Sequence, residues 1–162
     1  MQRPADSHKG DNGKVAVIGG SLHQHGAPIF SALAAEAGGA DLVYVLVPAV
    51  HVEVTKHASP NLQVYWFGTA AAPDDFTPKD HAVLLELLAT IDCAVIGPGL
   101  ARTPKMLAAL QTIFESSTCP LVVDASGLQP FTLAALKGRN AVLTPHLGEL
   151  ERMGLDPARA AD

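Results

Sequence analysis

Four stretches of this chain carry residue types that could do chemistry. The last is Leu143-Thr144-Pro145-His146-Leu147-Gly148-Glu149-Leu150, where an apolar run stops at a proline and delivers an imidazole just before an amphipathic segment. An imidazole ionises near neutral pH and can donate to a ligand oxygen, so His146 is a candidate binding residue; the same position suits a helix cap or a packing residue. Upstream, Val95-Ile96 runs into Gly97-Pro98-Gly99. Two glycines around a proline make a rigid turn with exposed amides, which can lie against a substrate or serve only as a turn. Val122-Val123 runs into Asp124-Ala125-Ser126-Gly127. Asp124 could bind a hydroxyl or a metal-bound phosphate, and it or Ser126 could equally cap the helix that follows. The first apolar run exits into Gly19-Gly20-Ser21, and Gly26-Ala27-Pro28 opens a small-residue segment whose free N–H groups could face an anion or a carbonyl. No GxGxxG run and no P-loop lysine accompany it.

The elements needed to position these groups are legible as an alternation. Strand-length apolar runs lie at 15–19, 42–47, 62–67, 93–96, 121–124 and 141–144. They are nearly continuous Val, Ile and Leu, the pattern of strands buried on both faces of a largely parallel sheet. Helical segments are expected between them at 28–37, 50–57, 78–89, 104–115, 129–136 and 148–153, with Thr103 as an N-cap and Pro104 at the first helical position. The longest loop, 68–78, is a surface connection. The expected fold is a three-layer α/β/α domain. In such a sheet, strand exits share one edge, so Gly26, Ala27, Gly97, Gly99, Asp124 and His146 should converge there.

Composition narrows the classes. The chain has 162 residues, 48% apolar but only 5% aromatic, with a net charge of −5. That length suits one domain, 1–162, with a real core. No basic stripe points to nucleic acid, and no apolar stretch is long enough for a membrane span. Cys93 and Cys119 lack any zinc spacing and read as buried free thiols of a cytoplasmic protein. His23 and His25 form an H-x-H pair without a third ligand, so no metal site is expected, and His8, His51, His57 and His81 have no special context. The polar segment before Lys14 is not a signal peptide. The tail at 156–162 looks like the start of another helix, which suggests a C-terminally incomplete fold.

Taken together, Lys9-Gly10-Asp11-Asn12-Gly13-Lys14, Val17-Ile18-Gly19-Gly20-Ser21, Gly26-Ala27-Pro28, Ala37-Gly38-Gly39-Ala40-Asp41-Leu42-Val43, Ile96-Gly97-Pro98-Gly99-Leu100, Val123-Asp124-Ala125 and Leu143-Thr144-Pro145-His146-Leu147-Gly148-Glu149 resemble the dehydratases that repair hydrated NADH and NADPH, a branch of the ribokinase-like superfamily. Order and spacing agree across almost the whole chain. Three positions depart from the family pattern. Ala101 stands where the family has Gly, Ser126 where it has a second acid, and Leu147 where it has Pro.

The resemblance implies a ribokinase-like α/β fold and a repair reaction that consumes ADP or ATP with Mg2+. The hydrate carries a hydroxyl on carbon 6 of the reduced nicotinamide ring. Phosphorylation turns that hydroxyl into a leaving group, and the ring nitrogen's lone pair expels phosphate. The resemblance places Ala27, Gly99 and His146 in the hydrate pocket, with Gly26, Gly97 and Asp124 in support, and no metal ligand is carried over. It puts the catalytic aspartate in a Gly-Thr/Ser-Gly-Asp loop that these 162 residues do not contain, so the chain alone is expected to have little or no dehydratase activity. It also implies a homo-oligomer. Two other readings stay open at this point: an inactive homologue that binds dinucleotide or pairs with a partner, and a small-molecule kinase of the same superfamily.

Overall fold

The structure, a computed structural model, describes residues 6–156 and residue 158. Six strands form its sheet: β1 (Lys14–Ile18), β2 (Leu42–Pro48), β3 (Leu62–Phe67), β4 (Cys93–Ile96), β5 (Leu121–Val123) and β6 (Ala141–Leu143). Their order is β3-β2-β1-β4-β5-β6 and every pairing is parallel. β1 is central, with Val17 opposite Val45 on one side and Val95 on the other. Parallel neighbours need long crossovers, which run through α1 (Gly26–Ala37), α2 (Val52–Ala58), α3 (Pro78–Leu88), α4 (Pro104–Ser116) and α5 (Thr132–Ala135), and α6 (Leu147–Arg152) follows β6.

The alternation of side chains along each strand divides the core into two layers. Ala16 and Ile18 of β1 and Ala94 and Ile96 of β4 face Leu84 and Leu88 of α3 and Met106, Leu110, Ile113 and Phe114 of α4. Val17 joins Val43, Val45, Val47 and Ala32 of α1 on the opposite side. The α4 residues recur at helical spacing and are almost completely buried. Burying each such side chain is worth about 1.5–3 kcal/mol. The helix begins where its cap dictates: Thr103 Oγ1 accepts from the Met106 N–H at 3.2 Å, and Pro104 follows it. α3 starts on a reciprocal cap, in which the Asp80 carboxylate accepts from the Thr77 N–H at 2.8 Å and the Asp80 N–H donates to Thr77 Oγ1 at 3.3 Å. Among the described residues no helix is long and apolar enough to cross a membrane.

Several local expectations need correction. The segment expected as a helix over 129–136 is a 3-10 turn at Ala125–Gly127 followed by the single turn of α5. Pro130 has no N–H to continue a helix. A buried side-chain network replaces the ladder: the Thr132 hydroxyl donates to the Gly127 carbonyl at 2.8 Å, and Gln129 Nε2 donates to the Ser126 carbonyl at 2.9 Å. Among the described residues β3 and β6 lie at the margins of the sheet, and each leaves large side chains uncovered. Trp66 is 58% exposed, and so is Val142. Cys93 and Cys119 are free but only half-buried, as both sit at the lead-in to their strands. The expected helix start at 156–162 falls almost wholly outside the described residues.

Candidate functional site

The strand order reverses direction at β1. The chain leaves β1 toward β2 and β3 on one side, then returns to β4 on the other, so the helices that follow β1 and β4 pack on opposite faces of the sheet. In open parallel sheets that switch point, at the C-terminal ends of the strands, is where ligands bind. Here it is walled by residues 19–27 and by Gly97-Pro98-Gly99. Backbone bonds stitch the two exits: the Gly97 N–H donates to the Ile18 carbonyl at 3.1 Å and the Gly20 N–H to the Pro98 carbonyl at 2.9 Å. The approach is so close that a Cβ on Gly19 would lie 2.3 Å from the Pro98 oxygen.

Gly97 is constrained twice over. Its φ is +123°, and a Cβ there would lie 1.8 Å from the Asp124 carbonyl oxygen. The β4 exit thus packs backbone against backbone on the β5 exit, where the Asp124 N–H donates to the Ile96 carbonyl at 3.0 Å. Ala125, next in the chain, holds a left-handed φ of +49°, a local strain at the site's floor. Asp124 caps no helix with its side chain. Its Oδ1 instead accepts from the Thr144 hydroxyl at 2.7 Å, which ties the β5 exit to the β6 exit.

The structure therefore connects most of the residues singled out from the sequence. Gly99 stands against Ala27 and Gln24, since a Cβ on it would meet theirs at 3.5 and 3.4 Å. Gly26 adjoins Ala27 at the start of α1, and Gly97 packs on Asp124. His146 lies two residues past Thr144 on the same edge, but its polar contacts run to its own helix. Nδ1 accepts from the Gly148 N–H at 3.1 Å, its backbone N–H donates to Glu149 Oε2 at 3.0 Å, and Nε2 stands 3.4 Å from Glu149 Oε1. That makes His146 the N-cap of α6, with its side chain 70% exposed, while Glu149 is buried. Two residues without a sequence signal also act here. His51 and Asp74 bond to the backbone of the 21–22 segment from outside the crevice. Only the fold brings them there.

Concavities also open elsewhere. One of about 390 Å3, lined by Glu36, Asp41, Asn61 and Gln63, lies at the opposite, N-terminal edge of the sheet. One of about 430 Å3, lined by Phe76, His81, Lys105 and Thr112, lies between α3 and α4. Among the described residues, no three His, Cys, Asp or Glu side chains converge to hold a metal ion. A nucleotide-bound Mg2+ takes one or two carboxylates beside its phosphates and waters, and at the β5 exit the Asp124 carboxylate would suit it.

A parallel sheet of this order with glycine-walled exits at its switch point defines a doubly wound α/β protein. A ribokinase-like superfamily protein from Enterococcus faecalis superposes with a TM-score of 0.80 at 24% identity, covering 99% of this chain and 55% of that one. Residues 15–162 match the NAD(P)H-hydrate dehydratase family, and the chain belongs to it. An ADP-dependent (S)-NAD(P)H-hydrate dehydratase from Cenarchaeum symbiosum is 39% identical over 153 residues, which are 93% of this chain and 52% of that protein. An ATP-dependent counterpart from Emericella nidulans is 37% identical over 157 residues, 90% of this chain and 42% of that protein. The Bacillus subtilis ADP/ATP-dependent enzyme, crystallised with ATP and Mg2+, superposes with a TM-score of 0.74 at 24% identity, covering 99% and 54% of the two chains. The chain spans about half the length of the curated relatives it matches.

Proposed function

We propose that these residues form the hydrate-binding side of an ADP- or ATP-dependent NAD(P)H-hydrate dehydratase. The observation that carries this reading is the close backbone contact of two glycine-bearing strand exits. Within a chain of this family, the Gly97-Pro98-Gly99 turn and the Gly26-Ala27 helix start meet at the switch point of the sheet. Ala27, Gly99 and His146 line the hydrate site, with Gly26, Gly97 and Asp124 holding the walls. Small residues at 27 and 99 leave room for a flat nicotinamide ring, and His146 offers a polar contact from the rim. Phosphoryl transfer from ADP or ATP depends on positioning and on stabilising charge at the transferred group, and no residue of the crevice is placed to do the latter. The 162 residues alone therefore bind the hydrated dinucleotide without turning it over at an enzyme's rate.

The test is conversion of hydrated NADPH to NADPH with ADP or ATP and magnesium, followed by the absorbance of the reduced ring, beside a direct binding titration. Binding without appreciable turnover is expected, and no binding at millimolar hydrate refutes the reading. We further place the protein in the cytoplasm, consistent with its two free cysteines, and expect it to self-associate through the apolar surface near α6, where Leu147 is 66% and Val142 58% exposed. A monomer in light scattering at tens of micromolar would overturn the self-association.

A further inference from the structure

The loop that forms one wall of the crevice is not held by its own residues alone. Residues 21–24 make a tight turn, in which the Ser21 N–H donates to the Gln24 carbonyl at 2.9 Å and the Gln24 N–H returns to the Ser21 carbonyl at 3.0 Å. Gln24 is the residue that stands against Gly99. From the neighbouring β2 exit, His51 Nε2 lies 2.8 Å from the Ser21 carbonyl oxygen and 3.1 Å from that of Leu22. A nitrogen between two carbonyl oxygens must carry a proton and donate. The His51 backbone is itself anchored, because its carbonyl accepts from the hydroxyl of fully buried Thr55 at 2.8 Å. A second tie comes from the long loop after β3, where Asp74 Oδ1 accepts from the Leu22 N–H at 2.7 Å. The ring of His25 lies 5.1 Å from that of His51 at an interplanar angle of 41°.

We infer that His51 is a positioning residue for the crevice: its Nε2–H holds the 21–24 turn against Gly99 and so sets the width of the opening that receives the hydrated ring. This rests on the dehydratase reading for the identity of the ligand, but not for the hold on the loop. His51 touches neither ligand nor reacting atoms. It acts through the backbone of Ser21 and Leu22, and the clamp reaches the site only because Gln24 lies between it and Gly99.

The experiment uses the 162-residue chain and three variants. His51→Ala removes the donor. His51→Asn keeps a polar side chain too short to reach, and stands in for the alanine variant should that fail to fold. His51→Gln carries an N–H at nearly the reach of Nε2. Hydrogen exchange at the amides of residues 21–26 should accelerate about tenfold in the Ala and Asn variants and return to within about threefold of the parent in the Gln variant, while the amides of β1 stay unchanged. The Kd for hydrated NADPH should rise about five- to tenfold with Ala or Asn and recover with Gln. Unchanged exchange over 21–26 in a folded Ala or Asn variant overturns the proposal. So does a Gln variant as loose as the Ala one, or a loosened loop with undiminished hydrate affinity. Should the parent chain bind no hydrated NADPH, the functional reading falls, and the exchange measurement still decides whether His51 holds the loop.

Discussion

Replacing Gly97 with alanine should be among the most damaging single-methyl changes available in this fold. Two effects add. The φ of +123° is strained for any residue with a Cβ, at about 1–3 kcal/mol. The new methyl would also start 1.8 Å from the Asp124 carbonyl oxygen, 2.7 Å from the Gly127 nitrogen and 3.0 Å from the Asp124 carbonyl carbon. All three are backbone atoms, so no side chain can swing aside. Restoring ordinary contact pushes that carbonyl back by about 1.5 Å. The bond it accepts from the Gly127 N–H, now 2.9 Å, is then lost at about 1 kcal/mol, beside about 1–3 kcal/mol of overpacking. The sum is roughly 3–7 kcal/mol, equivalent for a chain of this size to a fall in Tm of roughly 6–28 °C. Gly138→Ala is the control: its φ of +76° carries the conformational strain, yet nothing lies within 4 Å of the new methyl, so it should cost only about 1–2 kcal/mol. Urea unfolding followed by circular dichroism separates the two. If Gly97→Ala comes within about 1 kcal/mol of Gly138→Ala, the backbone contact between the β4 and β5 exits is yielding, and the rigid crevice wall described above does not exist.

Phe114→Ala empties the centre of the α3–α4 layer, where the ring is fully buried, and should lower unfolding free energy by about 3–5 kcal/mol in the same assay. His146→Ala removes the acceptor of the Gly148 N–H and the partner of Glu149; it should cost about 1 kcal/mol, speed exchange at the Gly148 amide and weaken binding of the hydrate. Burial first, and the neighbouring Cys119 second, push the Cys93 thiol above its ordinary value. The folded state therefore holds that proton longer than the unfolded chain does. Stability from this source is intact below the ordinary thiol range and is lost as pH rises through it toward the folded value. Cys93→Ser should flatten that alkaline decline in denaturation curves taken across pH.

The sheet was readable because the strands are nearly continuous apolar runs and two helix starts have a capping residue, Thr77 at α3 and Thr103 at α4. Edge position was not readable. Tyr65 and Trp66 carry the composition of a buried strand, and only the strand order leaves them exposed at one margin. The shortened α5 had a visible cause in Pro130, but the Thr132 and Gln129 bonds that replace the helix depend on a turn whose shape is set by Gly97 pressing on Asp124. For the site, Gly97, Gly99 and Asp124 could be placed by their position at strand exits. His51 could not, since its partners are the carbonyls of Ser21 and Leu22, thirty and twenty-nine positions away in sequence. A carbonyl leaves no trace in residue type, so a side chain that serves one is invisible until the fold supplies the neighbour.

The central place of β1 also shapes how the protein must be made. Its partner on one side arrives soon, since β2 begins at Leu42. On the other side the mate is β4, and the Lys14 N–H finds the Asp92 carboxylate 78 residues later. At a synthesis rate of roughly 5–20 residues per second, that gap lasts roughly 4–16 s. Throughout it the nascent β1–β3 ribbon holds a bare inner margin of Val, Ala and Ile, with amides ready to template a foreign strand. Nothing local can close that margin, because it is destined for the interior and its one charge, Lys14, stands only at its start. The gap is an interval in which a chaperone or a slow concentration of chains decides the yield. Expression should improve on cooling or with a holding chaperone far more than the mature domain's stability would suggest.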